Sequence, residues 1–198
     1  MSLRDKKKAE LRGRILAAAE KLFLEQGYDN TTTSQIAAEA GVASGTAFNY
    51  FDSKSELLLA AFAERLRAGG EPLGPRPATD DPVEIVFPFI WHYSRQLTAI
   101  DKPLLKELLL AFIAAYKNNP VLFGELLQED LKAVNDIQLT LQELKAKRLL
   151  SAAFPDELAV ELIYSAVVYE FVRYAFTDGT DERLLKERIK QKLAFLLR

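Results

Sequence analysis

The chain has 198 residues, a formal net charge of −2, no cysteine and one histidine. The absence of cysteine excludes disulfides, cysteine-ligated metal sites and cysteine nucleophiles, and it fits a reducing cytoplasm. Hydrophobic residues at 49% and charged residues at 27% are typical of a folded protein. No stretch is long and uncharged enough to predict a membrane span, and the charged N-terminus does not resemble a secretion signal.

The N-terminal end is far more basic than the chain as a whole. Residues 1–15 carry six basic and two acidic side chains, which gives a local charge of +4. A basic arm of this kind is suited to binding phosphate groups, but the solvated start of a helix accounts for the charge equally well. The sequence leaves both alternatives open.

The first predicted helix is followed by a very short one. Apolar residues recur with a helical period from Leu11 to Phe23, and Gly27 is expected to end this helix at its C-terminal side. Thr33 is expected to cap the next helix, which Gly41 ends after about two turns.

Two more helices are predicted before a segment rich in glycine and proline. A short one runs from about Ser44 to Phe51. Ser53, with Glu56 three residues later, matches a capping box and predicts a longer helix that ends near Ala68.

Residues 69–82 contain three glycines and four prolines and are predicted to be a linker. This divides the chain into a domain at 1–68, the linker at 69–82 and a domain at 83–198. Further helix starts are indicated at Asp81, Asp101 and Asn119, each with a proline one or two residues later. No alternating strand pattern stands out. The predicted fold class is therefore all-α, with about four helices in the N-terminal domain and a bundle of about five in the second.

Residues 33–51 have the pattern of a helix-turn-helix motif. Two short helices that cross steeply need a small residue at the crossing, which Ala37 supplies, and a tight turn, which Gly41 supplies. Val42 and Ala47 are expected to fill the space between the helices. A generic helical hairpin has the same spacing, but the surrounding small helical domain and the capped helix that follows favour DNA binding.

The second helix of this motif carries small or polar side chains that suit the major groove of DNA. Asn49 can pair with an adenine edge, and Thr46 can contact a base or a thymine methyl group. Thr33 and Ser34 stand at a helix N-terminus, which favours a phosphate. The predicted DNA-binding residues are Thr33, Ser34, Ser44, Gly45, Thr46, Asn49, Tyr50 and Lys54, the last two being expected to reach the backbone.

From Ile15 to Leu58 the sequence resembles the N-terminal domain of the TetR (tetracycline-repressor-like) family of regulators. Residue types and spacing agree over about a quarter of the chain. The resemblance is carried by Ala17, Ala18, Ala19, Phe23, Gly27, Tyr28, Thr32, Thr33, Ile36, Ala37, Ala40, Gly41, Val42, Gly45, Thr46, Tyr50, Phe51, Lys54, Ser55, Glu56, Leu57 and Leu58.

The resemblance implies a homodimer that binds a pseudo-palindromic operator in double-stranded DNA. It also implies a larger domain that dimerises through its last two helices and holds an effector pocket. Two positions depart from the family pattern. Phe48 stands where many members have a tyrosine that contacts a phosphate, so Phe48 is expected to be a packing residue. Ala47 is smaller than the usual branched residue.

The apolar run from Leu158 to Phe176 must be covered on all sides, and the last helix carries an apolar stripe. These two helices are predicted to form half of a four-helix dimer interface, although a core helix of a monomer has the same pattern. The predicted interface residues are Leu162, Ala166, Leu185, Ile189 and Leu193.

Aromatic residues of the second domain are candidates for an apolar pocket with polar tips, which a small-molecule effector needs. Ordinary core packing accounts for each of them individually at least as well. His92 has no evident carboxylate partner, so it is more typical of a core or pocket than of a metal ligand or catalytic base. The predicted pocket residues are Trp91, His92, Phe112, Tyr116 and Tyr169.

We therefore predict a cytoplasmic, ligand-released repressor that binds DNA as a homodimer and responds to a small apolar or aromatic effector. The alternative is a DNA-bound protein of the same fold that docks a protein partner and has no small-molecule inducer. No cofactor, metal site or membrane partner is expected. The sequence contains no HExxH motif and no glycine-rich phosphate loop, so we do not expect an enzyme.

Overall fold

The computed structural model describes residues 2–68 and 74–198, without the side chains of residues 47–48, 66–68 and 129–130. Across these ranges the protein is all-helical, and the predicted fold class is confirmed. None of the helices there combines the length and the apolar composition that crossing a membrane requires. In chain order the helices are α1 (Leu3–Asn30), α2 (Thr33–Glu39), α3 (Ser44–Phe48), α4 (Lys54–Ala68), α5 (Pro82–Thr98), α6 (Lys102–Asn118), α7 (Pro120–Ala146), α8 (Asp156–Phe176) and α9 (Glu182–Leu196).

Helix starts follow the capping signals of the sequence. The side chain of Asp81 accepts a hydrogen bond from the backbone of α5, and that of Asp101 does the same for α6. The Asn119 side-chain oxygen accepts from the backbone nitrogen of Leu122 at 3.0 Å, which caps α7. The Ser53 hydroxyl accepts from the backbone nitrogen of Glu56 at 3.0 Å. Each bond satisfies a backbone donor that has no partner within its helix.

Two of the predicted boundaries were wrong. The N-cap of α2 is Thr32, not Thr33, because the extended backbone at Thr32 lets its hydroxyl accept from Gln35 while the Gln35 side chain accepts from Thr32. Helix α3 ends at Phe48, short of the predicted Phe51. Gly27 does interrupt α1, with a φ of +79° that leaves the helical region, although one more turn follows it.

The chain forms two compact units that are not contiguous in sequence. Unit 1 comprises residues 1–69 and 100–125, and unit 2 comprises residues 70–99 and 126–198. The division predicted at 69–82 stays a prediction, and residues 69–73 of that linker lie outside the described residues. The assignment of α6 to unit 1 has a clear cause, since α6 packs against both α1 and α4.

Helix α4 is the centre of unit 1. Residues 57–63 are seven consecutive positions at which every side chain is at most 3% exposed. A helix can be buried on all sides only if neighbours cover more than one face. Helix α1 covers one side of α4 and α6 covers another. At the start of α4, the Asn119 side-chain amide donates to the Glu56 carboxylate at 2.6 Å.

Unit 2 is built around α9, which packs against α8 and α5. An ion pair joins the end of α7 to the start of α8, because the Lys145 ammonium lies 2.8 Å from the Asp156 carboxylate. The hydrogen bond from Lys145 lowers the pKa of Asp156 below its ordinary value.

Candidate nucleic-acid interface

The turn between α2 and α3 is closed by two backbone hydrogen bonds. Gly41 donates to the carbonyl of Ala38 at 3.0 Å, and Val42 donates to the carbonyl of Ala37 at 2.9 Å. This pair of bonds is a Schellman motif, which requires a left-handed residue just past the helix. Gly41 meets the requirement with a φ of +66°. The turn therefore redirects the chain sharply from α2 into α3.

An arginine of α1 secures the same turn. The Arg14 guanidinium donates to the backbone carbonyls of Ala40 and Gly41, which lie at the C-terminal end of α2. A cation at that end also interacts favourably with the helix dipole. A second cross-helix contact lies nearby, where the Lys21 ammonium is 2.6 Å from the Glu39 carboxylate. Helix α2 is thus tied to α1 as well as to α3.

Lys54, predicted as a DNA-backbone contact, makes contacts within unit 1. Its ammonium donates to the backbone carbonyls of Tyr28 at 2.9 Å and Thr31 at 3.1 Å. The same ammonium lies 4.0 Å from the centre of the Tyr28 ring. Burial is the main cause that raises the pKa of Tyr28. Lys54 therefore holds the start of α4 against the segment that leads into α2, and its DNA contact stays a prediction.

The outward face of α3 and of the turn that follows it, residues 49–50, is open to solvent. Ser44, Gly45 and Asn49 are exposed, and Thr46 and Tyr50 are half-buried. Beneath them Ile36 and Ala37 of α2 are fully buried. This is the division that a DNA-reading helix needs, with an anchored inner side and free polar groups on the outer side.

The remaining DNA-binding predictions concern α2 and the interior of α3. Thr33 is half-buried and Ser34 is exposed, both in the first turn of α2. The side chains of Ala47 and Phe48 lie outside the described part of the structure, so the packing roles predicted for them stay predictions.

The five predicted pocket residues fall in different units. Phe112 and Tyr116 belong to unit 1, where both rings contact Phe123. Trp91, His92 and Tyr169 belong to unit 2. Trp91 lies under the Lys186 ammonium at 4.4 Å, and Tyr169 lies under that of Lys192 at 4.5 Å. His92 packs edge-on against Tyr93.

Exposure rules against two of these pocket assignments. Tyr116 is 71% exposed and Tyr169 is 58% exposed, so neither side chain lines an enclosed cavity in the single chain. Aromatic side chains at a surface resemble core residues in the sequence, because the sequence shows the residue type and not what covers it.

The predicted interface residues also divide into two groups. Leu185, Ile189 and Leu193 are each only 2% exposed, because they form the inner side of α9 within its own chain. Since they are already covered within one chain, their assignment to the dimer interface is corrected. Leu162 and Ala166, in contrast, line an open groove of about 340 Å³ between α8 and α9, together with Gln191, Lys192, Phe195 and Leu196.

Sequence reasoning missed the residues that position the motif. The sequence suggested only that Arg12 and Arg14 belong to a basic arm. In the structure the Arg12 guanidinium lies 5.5 Å from the centre of the Phe51 ring. Helical periodicity carries a usable signal, because Arg14 immediately precedes the buried Ile15 and Arg12 lies three residues before it, near the core side of α1.

Comparisons with known proteins agree with this geometry. Residues 15–61 match the family model described as bacterial regulatory proteins, tetR family. A transcriptional regulator named HbdR from Aromatoleum is 38% identical over 86 residues, which is 42% of this chain and 37% of that protein. The fatty acid metabolism regulator protein of Bacillus subtilis is 40% identical over 52 residues, 26% of this chain and 27% of that protein. The matches thus span well under half the length of these relatives.

A solved structure extends the similarity to nearly the whole chain. The TetR-family transcriptional repressor FadR of Thermus thermophilus, in complex with lauroyl-CoA, superposes with a TM-score of 0.59 at 27% identity. The superposition covers 94% of this chain and 93% of that one. Fold and motif together define a helix-turn-helix protein with a second helical domain. Residues 15–61 carry the pattern of the tetR family of bacterial regulatory proteins, and the chain as a whole is similar in fold to a TetR-family repressor.

Replacing Gly41 by alanine tests the turn. An alanine Cβ at this positive φ is strained, and it would lie 2.8 Å from Nη2 of Arg14. We expect a loss of about 1–2 kcal/mol in the free energy of unfolding. The matched control is Gly13→Ala in α1, where an added Cβ meets nothing within 4 Å and helix propensity favours alanine. Urea unfolding of both variants checks this, and equal stability of the two would contradict the role of Gly41.

Proposed function

We propose that the protein is a sequence-specific DNA-binding transcriptional regulator, and that it is a repressor released by a ligand. The observation that carries the proposal is the exposed face of α3, held at a defined angle by the turn at Gly41 and by Arg14. The family match over residues 15–61 supports it. This function places the protein in the cytoplasm with DNA, and it requires no catalysis.

In this proposal α3 is the recognition helix and enters the major groove. Asn49 is the best candidate for reading a base, because an asparagine side chain can donate to and accept from an adenine edge. Ser44, Gly45 and Thr46 lie at the N-terminal end of α3, which approaches the bases in this type of motif. Phosphate contacts elsewhere would set the position of the helix without reading sequence.

The exposed apolar side of α8 supports a homodimer. Six large apolar side chains of this helix remain 42–58% exposed in the single chain: Leu158, Leu162, Val168, Tyr169, Val172 and Phe176. Phe195 of α9, beside the groove at Leu162, is 84% exposed. A second copy of α8 and α9 would cover this face and complete a four-helix interface. The two recognition helices would then read half-sites about 34–36 Å apart.

A ligand would act by favouring a dimer geometry with a different spacing between the recognition helices. Such coupling between sites is typically about 1–3 kcal/mol, or about 5–150-fold in affinity. The effector proposed from the sequence is small and apolar or aromatic. The similarity to a repressor crystallised with lauroyl-CoA makes a long-chain acyl thioester the first candidate.

The recognition helix is tested by Asn49→Ala. A duplex selected from random DNA by the purified protein serves as the operator. The variant should lose about 1–3 kcal/mol of discrimination at one base position, because only that base loses its paired hydrogen bonds. Asn135→Ala, an exposed asparagine of α7, is the control. If fluorescence anisotropy shows that Asn49→Ala and Asn135→Ala discriminate equally well, α3 does not read the operator through Asn49.

The dimer face is tested by Leu162→Glu. A carboxylate in the α8–α9 groove cannot be buried against a second copy without a large desolvation cost, so the variant should be monomeric at micromolar concentration. Leu110→Glu on α6, where leucine is 50% exposed, adds the same charge away from this face and should leave a dimer. Light scattering measures both masses. A dimeric Leu162→Glu protein would place the interface elsewhere.

The ligand response is tested with lauroyl-CoA, with coenzyme A alone as control. Lauroyl-CoA should raise the melting temperature, because a ligand that binds only the folded state stabilises it. It should also weaken operator binding within the range expected for coupled sites. Stabilisation without any loss of operator binding would argue against release by this ligand. Absence of both effects would exclude acyl thioesters of this length as the effector.

A further inference from the structure

The N-terminal part of helix α1 extends beyond the buried core of unit 1. It starts at Leu3 with a capping box between Ser2 and Asp5, yet its first buried residue is Ile15. Residues 3–10 are all exposed, so about two turns of helix lie outside the packed domain. Packing does not account for the sequence of this segment, and its charge pattern needs another explanation.

The charges of this segment are sorted by helix face. Residues 3–14 of α1 carry six cations, and at 100° per residue five of them fall within an arc of about 160°. The sixth, Lys6, lies on the opposite side, and both acids, Asp5 and Glu10, lie outside the arc. The cations within the arc are Arg4, Lys7, Lys8, Arg12 and Arg14. We call the part of this arc that lies within residues 3–10, namely Arg4, Lys7 and Lys8, the basic face.

The basic face continues the side of α1 that contacts the helix-turn-helix. Arg12 lies over Phe51, directly after Tyr50, and Arg14 binds the turn between α2 and α3. Both belong to the same arc as the basic face. With a rise of 1.5 Å per residue, Lys8 lies about 6 Å beyond Arg12 along the helix, and Arg4 about 12 Å beyond it. The basic face therefore projects past the helix-turn-helix on the side of α1 that contacts it.

The cations of the basic face are not held in ion pairs by the described residues, although Lys8 interacts electrostatically with Asp5. Among the described residues neither Arg4, Lys7 nor Lys8 forms an ion pair, whereas Lys21 in the packed half of α1 pairs with Glu39. Arg4, Lys8 and Arg12 are spaced four residues apart, a spacing at which like charges repel on a helix. A polyanion placed along this face would remove the repulsion.

We propose that the basic face is a second DNA-binding element, which contacts the phosphate backbone beside the base pairs read by α3. The proposal rests on the DNA-binding function proposed above. The contacts are side-chain cations on phosphates, so they add affinity for any sequence and depend strongly on salt. The N-terminus of the helix itself plays no part, because Asp5 already accepts the hydrogen bond there.

The test compares Lys8→Gln with Lys6→Gln, two exposed positions of the same helix that differ in face. Both variants remove one positive charge, and glutamine has nearly the helix propensity of lysine. Binding to the selected operator and to a random duplex of about 30 base pairs is measured against salt concentration. Lys8→Gln should weaken both duplexes by about eightfold per protomer at about 0.1 M salt, and should reduce the slope of log K against log salt by about 0.9 per protomer. Lys6→Gln should bind like the parent protein.

Two negative results have different meanings. If the parent protein binds the operator but both variants match it, or lose affinity equally, the basic face is not a DNA contact and the proposed function stands. If the parent protein binds neither duplex, the proposed function fails and this inference fails with it. A loss confined to the operator, with unchanged binding of the random duplex, would also overturn a backbone contact.

Discussion

The angle between α2 and α3 depends on a turn only a few residues long. Helices of seven and five residues bury too little surface to fix their own crossing, so the Schellman turn at Gly41 must hold it. Arg14 supports that turn from outside by binding the carbonyls that α2 leaves without partners. The exposed face of α3 has a fixed orientation because local backbone geometry and one long-range side chain agree.

Local chemistry made much of this fold predictable. The caps at Asp81, Asp101 and Asn119 and the positive φ at Gly41 depend on residues within a few positions of each other. The all-helical class and the position of the helix-turn-helix follow from such signals, together with helical periodicity. The error at Thr33 has the same local character, since two adjacent threonines compete for one cap and the glutamine three residues on selects Thr32.

Long-range packing was not predictable from the same signals. Leu185, Ile189 and Leu193 form a clear apolar stripe, but a stripe does not reveal whether it packs against its own chain or a second copy. Lys54 has the charge of a phosphate contact, yet two backbone carbonyls from a distant part of unit 1 bind its ammonium. In both cases the decisive partners lie more than twenty residues away in the chain or on another helix.

The burial of α4 on more than one side has a consequence for engineering regulators. A hybrid regulator is designed by joining the DNA-binding domain of one protein to the ligand-binding domain of another. In this chain, a DNA-binding domain defined by sequence order alone would end at the C-terminus of α4. It would lack α6, which covers part of that helix. A graft that omits residues 100–125 would carry an uncovered apolar surface into the new protein. The transferable module is therefore the discontinuous one.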